Sequence, residues 1–283
     1  MSSSNASIKR AEVERLATGF EFTEGPVWNA REGCLLFSDI PANKIMRWTP
    51  GKGVETFRSH SGNSNGLTYD REGRLVACEH GNRRVSLAEK NNAVTVLASH
   101  YKGKRLNSPN DVVVKSDGTI YFTDPPYGIE PKDQELSYQG VYCISPDTSE
   151  LTLLSKDFDK PNGLAFSPDE KLLYIGDSSE RKHIRIFNVE EDGSITGGRV
   201  FAQIRSEEPG APDGMKVDTE GRLYVAAPGG IWVFSPSAGL QSIIRVPETP
   251  ANCAWGGHDC RSLYITARTS LYRIMLQAQG RVP

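Results

Sequence analysis

The chain carries no excess of charge of either sign: 33 Lys and Arg stand against 35 Asp and Glu in 283 residues, a formal net charge of −2. That balance leaves no basic surface to hold a polyanion, so nucleic acid is not expected as a partner. The small cluster Lys102, Lys104 and Arg105 reads as a solvated loop. No run approaches the roughly 18 consecutive apolar residues that a membrane-spanning helix requires, so no membrane is expected either. The opening MSSSNASIKRAEVE lacks the apolar core of a secretory signal, which makes the cytoplasm the expected location. Cysteine is scarce as well. The five present are an odd number, scattered, and never spaced C-x-x-C, which argues against a disulfide framework or a zinc knuckle. Cys34, Cys78 and Cys143 fall inside apolar strand patterns, where a thiol acts as a small core residue.

What the chain does have is repetition. Six segments resemble one another: EGPVWNAREGCLLFSD from Glu24, NGLTYDREGRLVACE from Asn65, NDVVVKSDGTIYFTD from Asn110, NGLAFSPDEKLLYIGD from Asn162, DGMKVDTEGRLYVAA from Asp213 and NCAWGGHDCRSLYITA from Asn252. Their first residues lie 41, 45, 52, 51 and 39 positions apart. A period of about 40 to 50 residues built from short strands marks a β-propeller blade. In the third copy, the β-branched run after Asn110 is too short for a helix, Gly118 supplies a tight turn, and TIYFTD returns as a second strand. GVYCISP and LTLLSKD then give a third and a fourth strand.

The same order recurs in the other copies, except that the sixth ends after SLYRIML with three strands. AEVERLATG, near the N-terminus, supplies the missing strand and removes an open sheet edge. The expectation is an all-β, six-bladed propeller with four antiparallel strands per blade and the termini closing the last blade. Residues 1–10 are expected to be disordered and 11–283 to form a single domain.

In this topology the six first residues, the loops after each second strand and the segment Pro125–Gln139 share one face. That segment is a candidate lid, with Tyr127 a candidate wall of the pocket. All six first residues carry side-chain oxygen, and none is apolar. Glu24 and Asp213 are carboxylates expected nearly to face each other across the ring. Two anions there would repel and lose hydration, at a cost of several kcal/mol. A divalent cation resolves this, using in addition the amide oxygens of Asn110 and Asn162. An all-oxygen donor set suits a hard ion. Ca2+ is the first expectation, with Mg2+, Mn2+, Zn2+ and Fe2+ as the alternatives.

The segments FTEGPVW, GKRLNSPNDVVV, YFTDPPYG, KPNGLAFSPDEKLLY and PDGMKVDTEGRLYVA resemble the SMP-30/gluconolactonase family, in order and in register from about Leu16 to the C-terminus. The likeness is greatest to its microbial gluconolactonases. It implies a metal-dependent hydrolase acting on a sugar lactone, with an aldonolactone such as glucono-1,5-lactone as the leading substrate. It implies Glu24, Asn162 and Asp213 as metal ligands, Asn110 as a fourth or a water-mediated contact, and Asp213 as proton acceptor and donor. Two departures from the family's vertebrate regucalcin branch, Ser108 in place of Arg and Gly128 in place of Glu, prevent that branch's substrate contacts from carrying over. Candidate substrate contacts are therefore rim residues: Asn65, His80, Arg105, Asn107, Tyr127 and Asn252. A phosphotriesterase or fluorophosphatase using the same cation is the rival enzyme, and a non-enzymatic calcium- or partner-binding propeller the rival of another class. The oligomeric state, monomer or dimer, is left open.

Overall fold

The structure is a computed structural model that describes residues 12–89 and 93–283. The segment 1–10, expected to be disordered, lies outside the described residues. The described chain forms six four-stranded antiparallel sheets and one small two-stranded hairpin. Blade 1 runs Thr23–Asn29, Cys34–Asp39, Lys44–Thr49 and Gly53–Ser59 from the centre outward. Blades 2 to 5 repeat the pattern from innermost strands Ser64–Tyr69, Val112–Val114, Pro161–Phe166 and Met215–Val217. Blade 6 begins at Pro250–Gly256, and its outermost strand is Glu14–Thr18, paired antiparallel with Ser270–Met275. The N-terminal strand thus fastens the last blade.

Burial falls from the centre outward. Thr23–Asn29 and Cys34–Asp39 are almost wholly buried, whereas Gly53–Ser59 is mostly exposed. Strands covered on both faces are apolar along most of their length, with the buried polar residues of these two at the rim end that forms the site (Thr23, Glu24, Ser38, Asp39), and an outer strand need not be apolar. Adjacent blades pack face to face. Between blades 2 and 3, for example, Val76, Val85, Val112, Phe122 and Tyr142 form one cluster, with Phe122 stacked on Tyr142 at 5.3 Å between ring centroids. Emptying such a site by Phe→Ala costs about 3–5 kcal/mol.

The turn between first and second strands needs one residue of positive φ. Gly33, Gly73, Gly118 and Gly221 provide it in four blades; Glu170 (φ 58°) and Cys260 (φ 54°) adopt it in the other two. Four of the five cysteines are buried and all five are free, as small core residues would be. No helix among the described residues is long and apolar enough to cross a membrane.

The C-terminal segment crosses the lower mouth of the central channel. Thr219 N–H donates to the Gln279 carbonyl at 2.9 Å, Gly280 N–H donates to the Cys260 carbonyl at 2.8 Å, and Arg281 reaches the Pro168 carbonyl. Above it lies a cavity of about 160 Å³, to which each blade contributes: Val27, Leu67, Val112, Ala165, Lys216 and Ala254.

Candidate functional site

Three local devices turn the six first residues toward the axis. The first is a break in register. Pairing between innermost and second strands slips between Glu24 and Val27, Ser64 and Leu67, Pro161 and Leu164, and Pro250 and Asn252. In blades 3 and 5 the regular strand begins only at Val112 and Met215, just past Asn110 and Asp213. Irregularities of this kind bend a strand and re-aim its side chains. The second device is a carboxylate at the end of the second strand that holds the entering backbone. Asp39 accepts from Phe22 N–H at 3.0 Å, Asp124 from Asn107 N–H at 2.8 Å, and Asp177 from Lys160 N–H at 3.1 Å. The third is glycine after the first residue in four copies, which lets neighbouring blades touch. A Cβ on Gly25 would stand 2.0 Å from the Asn65 carbonyl oxygen, and one on Gly214 would stand 1.9 Å from the Asn252 amide carbon.

The six side chains meet as a ring. The Asn65 amide donates to Asn110 Oδ1, and Asn110 Nδ2 donates to Asn162 Oδ1 at 2.6 Å. Asn162 Nδ2 donates in turn to Ser178 Oγ at 2.9 Å, and Ser178 is tied to the Pro212 carbonyl beside Asp213. On the other side Asn252 Nδ2 donates to Glu24 Oε2 at 3.0 Å, and the same oxygen accepts from Gly25 N–H at 2.6 Å. Glu24 and Asp213 do not face each other. In a closed ring of six, blades 1 and 5 both flank blade 6, so only Asn252 separates the two carboxylates.

Their closeness shows in their proton affinities. Burial, reinforced by the nearby charge of Asp111, pushes Glu24 up to about 7. Burial, then Glu24 and Asp111, pushes Asp213 well above the usual carboxylate range. Asp111 is a third carboxylate that sequence reasoning missed. It is only 3% exposed, and its Oδ2 has no hydrogen-bond partner among the described residues. Burial raises its proton affinity, and Lys216 and Asn252 offset part of that rise. A signal for it existed: Asp111 stands where four of the six copies have glycine.

The remaining candidates divide. His80 Nε2 lies 3.2 Å from both Asn65 Nδ2 and Asn110 Oδ1, and burial lowers its pKa to about 4, so the imidazole is neutral at physiological pH. The Tyr127 hydroxyl faces Ser178 and Asn162. Its pKa is raised to about 12 by burial and by Asp213. Arg105 and Asn107 make no hydrogen bond to a ring residue among the described residues. Arg105 Nη2 donates to the Asn82 carbonyl at 3.2 Å. Asn107 is fully buried and donates from Nδ2 to the carbonyls of Asp124 (3.0 Å) and Tyr138 (2.9 Å), which makes it a strut of the lid. The lid is held further by Arg83, whose Nη1 donates to the Asp133 carbonyl at 3.0 Å.

Among the described residues no three His, Cys, Asp or Glu side chains gather in a metal-binding arrangement. A cation at the ring would therefore draw on amide as well as carboxylate oxygens. The donors suit that: the amide oxygen of Asn162 keeps a second lone pair beyond the hydrogen bond it accepts, and so does that of Asn110 when His80 Nε2 is the acceptor from Asn65 Nδ2. The two carboxylates are held where neutral groups would be favoured unless a cation compensates them.

Residues 22–269 match the SMP-30/Gluconolactonase/LRE-like region. A gluconolactonase of Zymomonas mobilis is 35% identical, with 95% of this chain and 82% of the relative covered. Regucalcin of Xenopus laevis is 30% identical, over 88% of this chain and 83% of its own. Among solved structures, a Xanthomonas campestris gluconolactonase superposes with a TM-score of 0.88 at 34% identity, covering 95% of this chain and 90% of that one.

Proposed function

We propose, from the premise that this chain belongs to the SMP-30/gluconolactonase/LRE-like family, that its upper ring hydrolyses a sugar lactone with the help of one divalent cation. Gluconolactonases at 35% and 34% identity across nearly the whole chain make it a lactonase, a carboxylic-ester hydrolase. The finer reading concerns the metal, the substrate and the proton transfers. One observation carries it: Glu24 and Asp213 are buried together in an oxygen-lined ring, where burial raises the proton affinity of both and the charge of Glu24 raises that of Asp213 further.

Glu24, Asn110, Asn162 and Asp213 are the residues that would hold the cation, and Ca2+ fits this hard donor set best. When bound, such an ion supplies Lewis-acid polarisation of the lactone carbonyl and stabilises the developing negative charge. The chain's own residues do the rest. Asp213 accepts a proton from the attacking water as its oxygen adds to the carbonyl carbon. It returns that proton to the ring oxygen when the acyl C–O bond breaks, leaving the aldonic acid with a free hydroxyl. Ser178 and Tyr127 orient the side of the ring at Asn162, next to Asp213.

Neutral His80 braces this side of the ring through Nε2, which either accepts from Asn65 Nδ2 or donates to Asn110 Oδ1; hydroxyl recognition falls to Asn65, Tyr127 and Arg105 on the rim. The Asn252 amide is engaged with Glu24 and with its own neighbour, Cys253 N–H at 2.8 Å, which favours holding a carboxylate over meeting substrate. A pH-stat assay over aldonolactones and the phosphotriester paraoxon tests the reading. Glucono-1,5-lactone or a close aldonolactone should turn over fastest. Preferential cleavage of paraoxon would overturn the substrate class.

A further inference from the structure

The innermost strands of the six blades contain one basic residue, Lys216, in the strand Met215–Val217 that follows Asp213. It lines the axial cavity below the ring, where the innermost strands of the other blades contribute apolar Val27, Leu67, Val112, Ala165 and Ala254; the charged Arg71, Glu170, Asp218 and Arg281 that also line it lie outside those strands. Its Nζ donates to the Met215 carbonyl at 3.0 Å, which keeps the ammonium folded back along its own strand. Above it are Glu24, Asp111 and Asp213. With a cation bound and all three ionised, three negative charges against one positive leave a deficit of two, the charge of a single divalent ion. Asp111 Oδ2, buried without a hydrogen-bond partner among the described residues, is the oxygen a second cation would seek.

We infer that Lys216 is a built-in counter-ion that stands in for a second cation and limits the channel to one divalent ion. This rests on the cation-dependent reading above, and it assigns a role to a residue which that reading does not use. A fixed ammonium beside the carboxylates repels any ion bound at the ring, so it lowers affinity there. In return it lowers the cost of any negative charge left in the metal-free channel, an interior of low dielectric.

The test is calcium titration calorimetry on chelator-stripped, full-length protein at fixed ionic strength, comparing wild type, Lys216→Met, Lys216→Arg, Asp111→Asn and the double variant Asp111→Asn with Lys216→Met. The wild type should take up one equivalent. Lys216→Met should bind Ca2+ about tenfold more tightly or better, the order expected for removing one unit charge from a partly screened interior. Lys216→Arg should behave as wild type, Asp111→Asn should bind about tenfold more weakly, and the double variant should return to within about threefold of wild type. In chelator, Lys216→Met should also melt below wild type and regain the difference when Ca2+ is added.

Unchanged or weaker affinity in a folded Lys216→Met protein, with wild type still binding one equivalent, overturns the inference alone. If Lys216→Met does not fold, unchanged affinity in Asp111→Asn overturns it. A wild type that binds no divalent cation overturns both the inference and the reading beneath it.

Discussion

Replacing Glu24 by Gln should stabilise the metal-free protein at alkaline pH, the reverse of what deleting a buried, hydrogen-bonded carboxylate usually does. Glu24 is 3% exposed and its pKa is raised from 4.5 to about 7, chiefly by burial and then by Asp111. Between those two values the folded chain holds a proton that the unfolded chain has released. Stability therefore falls as pH rises through this window, and the loss is complete above the folded value. A shift of that size amounts to about 3 kcal/mol. Gln keeps the shape and can still accept from Gly25 N–H and face Asn252, but never ionises. In chelator the variant should match wild type near pH 4 and exceed it by up to about 3 kcal/mol at pH 8, a rise in melting temperature on the order of 6 °C. Saturating Ca2+ should reverse the order, because only the wild type gains the binding energy. Urea unfolding between pH 4 and 8, with and without chelator, measures both. A Glu24→Gln protein less stable than wild type at pH 8 in chelator would refute the reasoning.

Other expectations follow from the same geometry. Asp213→Asn should fold and lose about 10³-fold in kcat for the lactone, within the range for removing a general acid–base group; steady-state kinetics beside circular dichroism checks this. Gly25→Ala should destabilise by about 3 kcal/mol or more, since its Cβ would stand 2.0 Å from the Asn65 carbonyl oxygen and the residue sits at φ 52°; chemical denaturation reads the loss. Tyr127→Phe should raise KM by less than about tenfold with kcat nearly unchanged, as expected for loss of one neutral hydrogen bond to substrate.

The blades were legible because their cause is local. The apolar innermost strand, the turn glycine and the returning strand recur in sequence, and the missing sixth outer strand has one source near the N-terminus. The direction of side chains was less legible. Asn107 and Asn110 are the same residue type three positions apart. Yet Asp124 fixes the backbone at Asn107 and turns its amide into the lid, while the irregularity after Asn110 turns that amide to the axis. The placing of Glu24 opposite Asp213 failed for a geometric reason, because blade number along the chain is not angular distance in a closed ring. Asp111 was hidden by its neighbour: it follows the conspicuous Asn110 and reads as part of a strand. His80 could be placed on the rim from its position after a second strand, but its contact with two ring amides depends on packing between blades 2 and 3.

The central claim is that the ring needs one divalent cation to open a lactone. Titrating Ca2+ into chelator-treated protein while following glucono-1,5-lactone hydrolysis tests it directly. Activity should be near the uncatalysed rate at the start, rise in proportion to added ion, and level off at one equivalent. Full turnover before any ion is added, in protein shown by elemental analysis to be metal-free, would contradict the account.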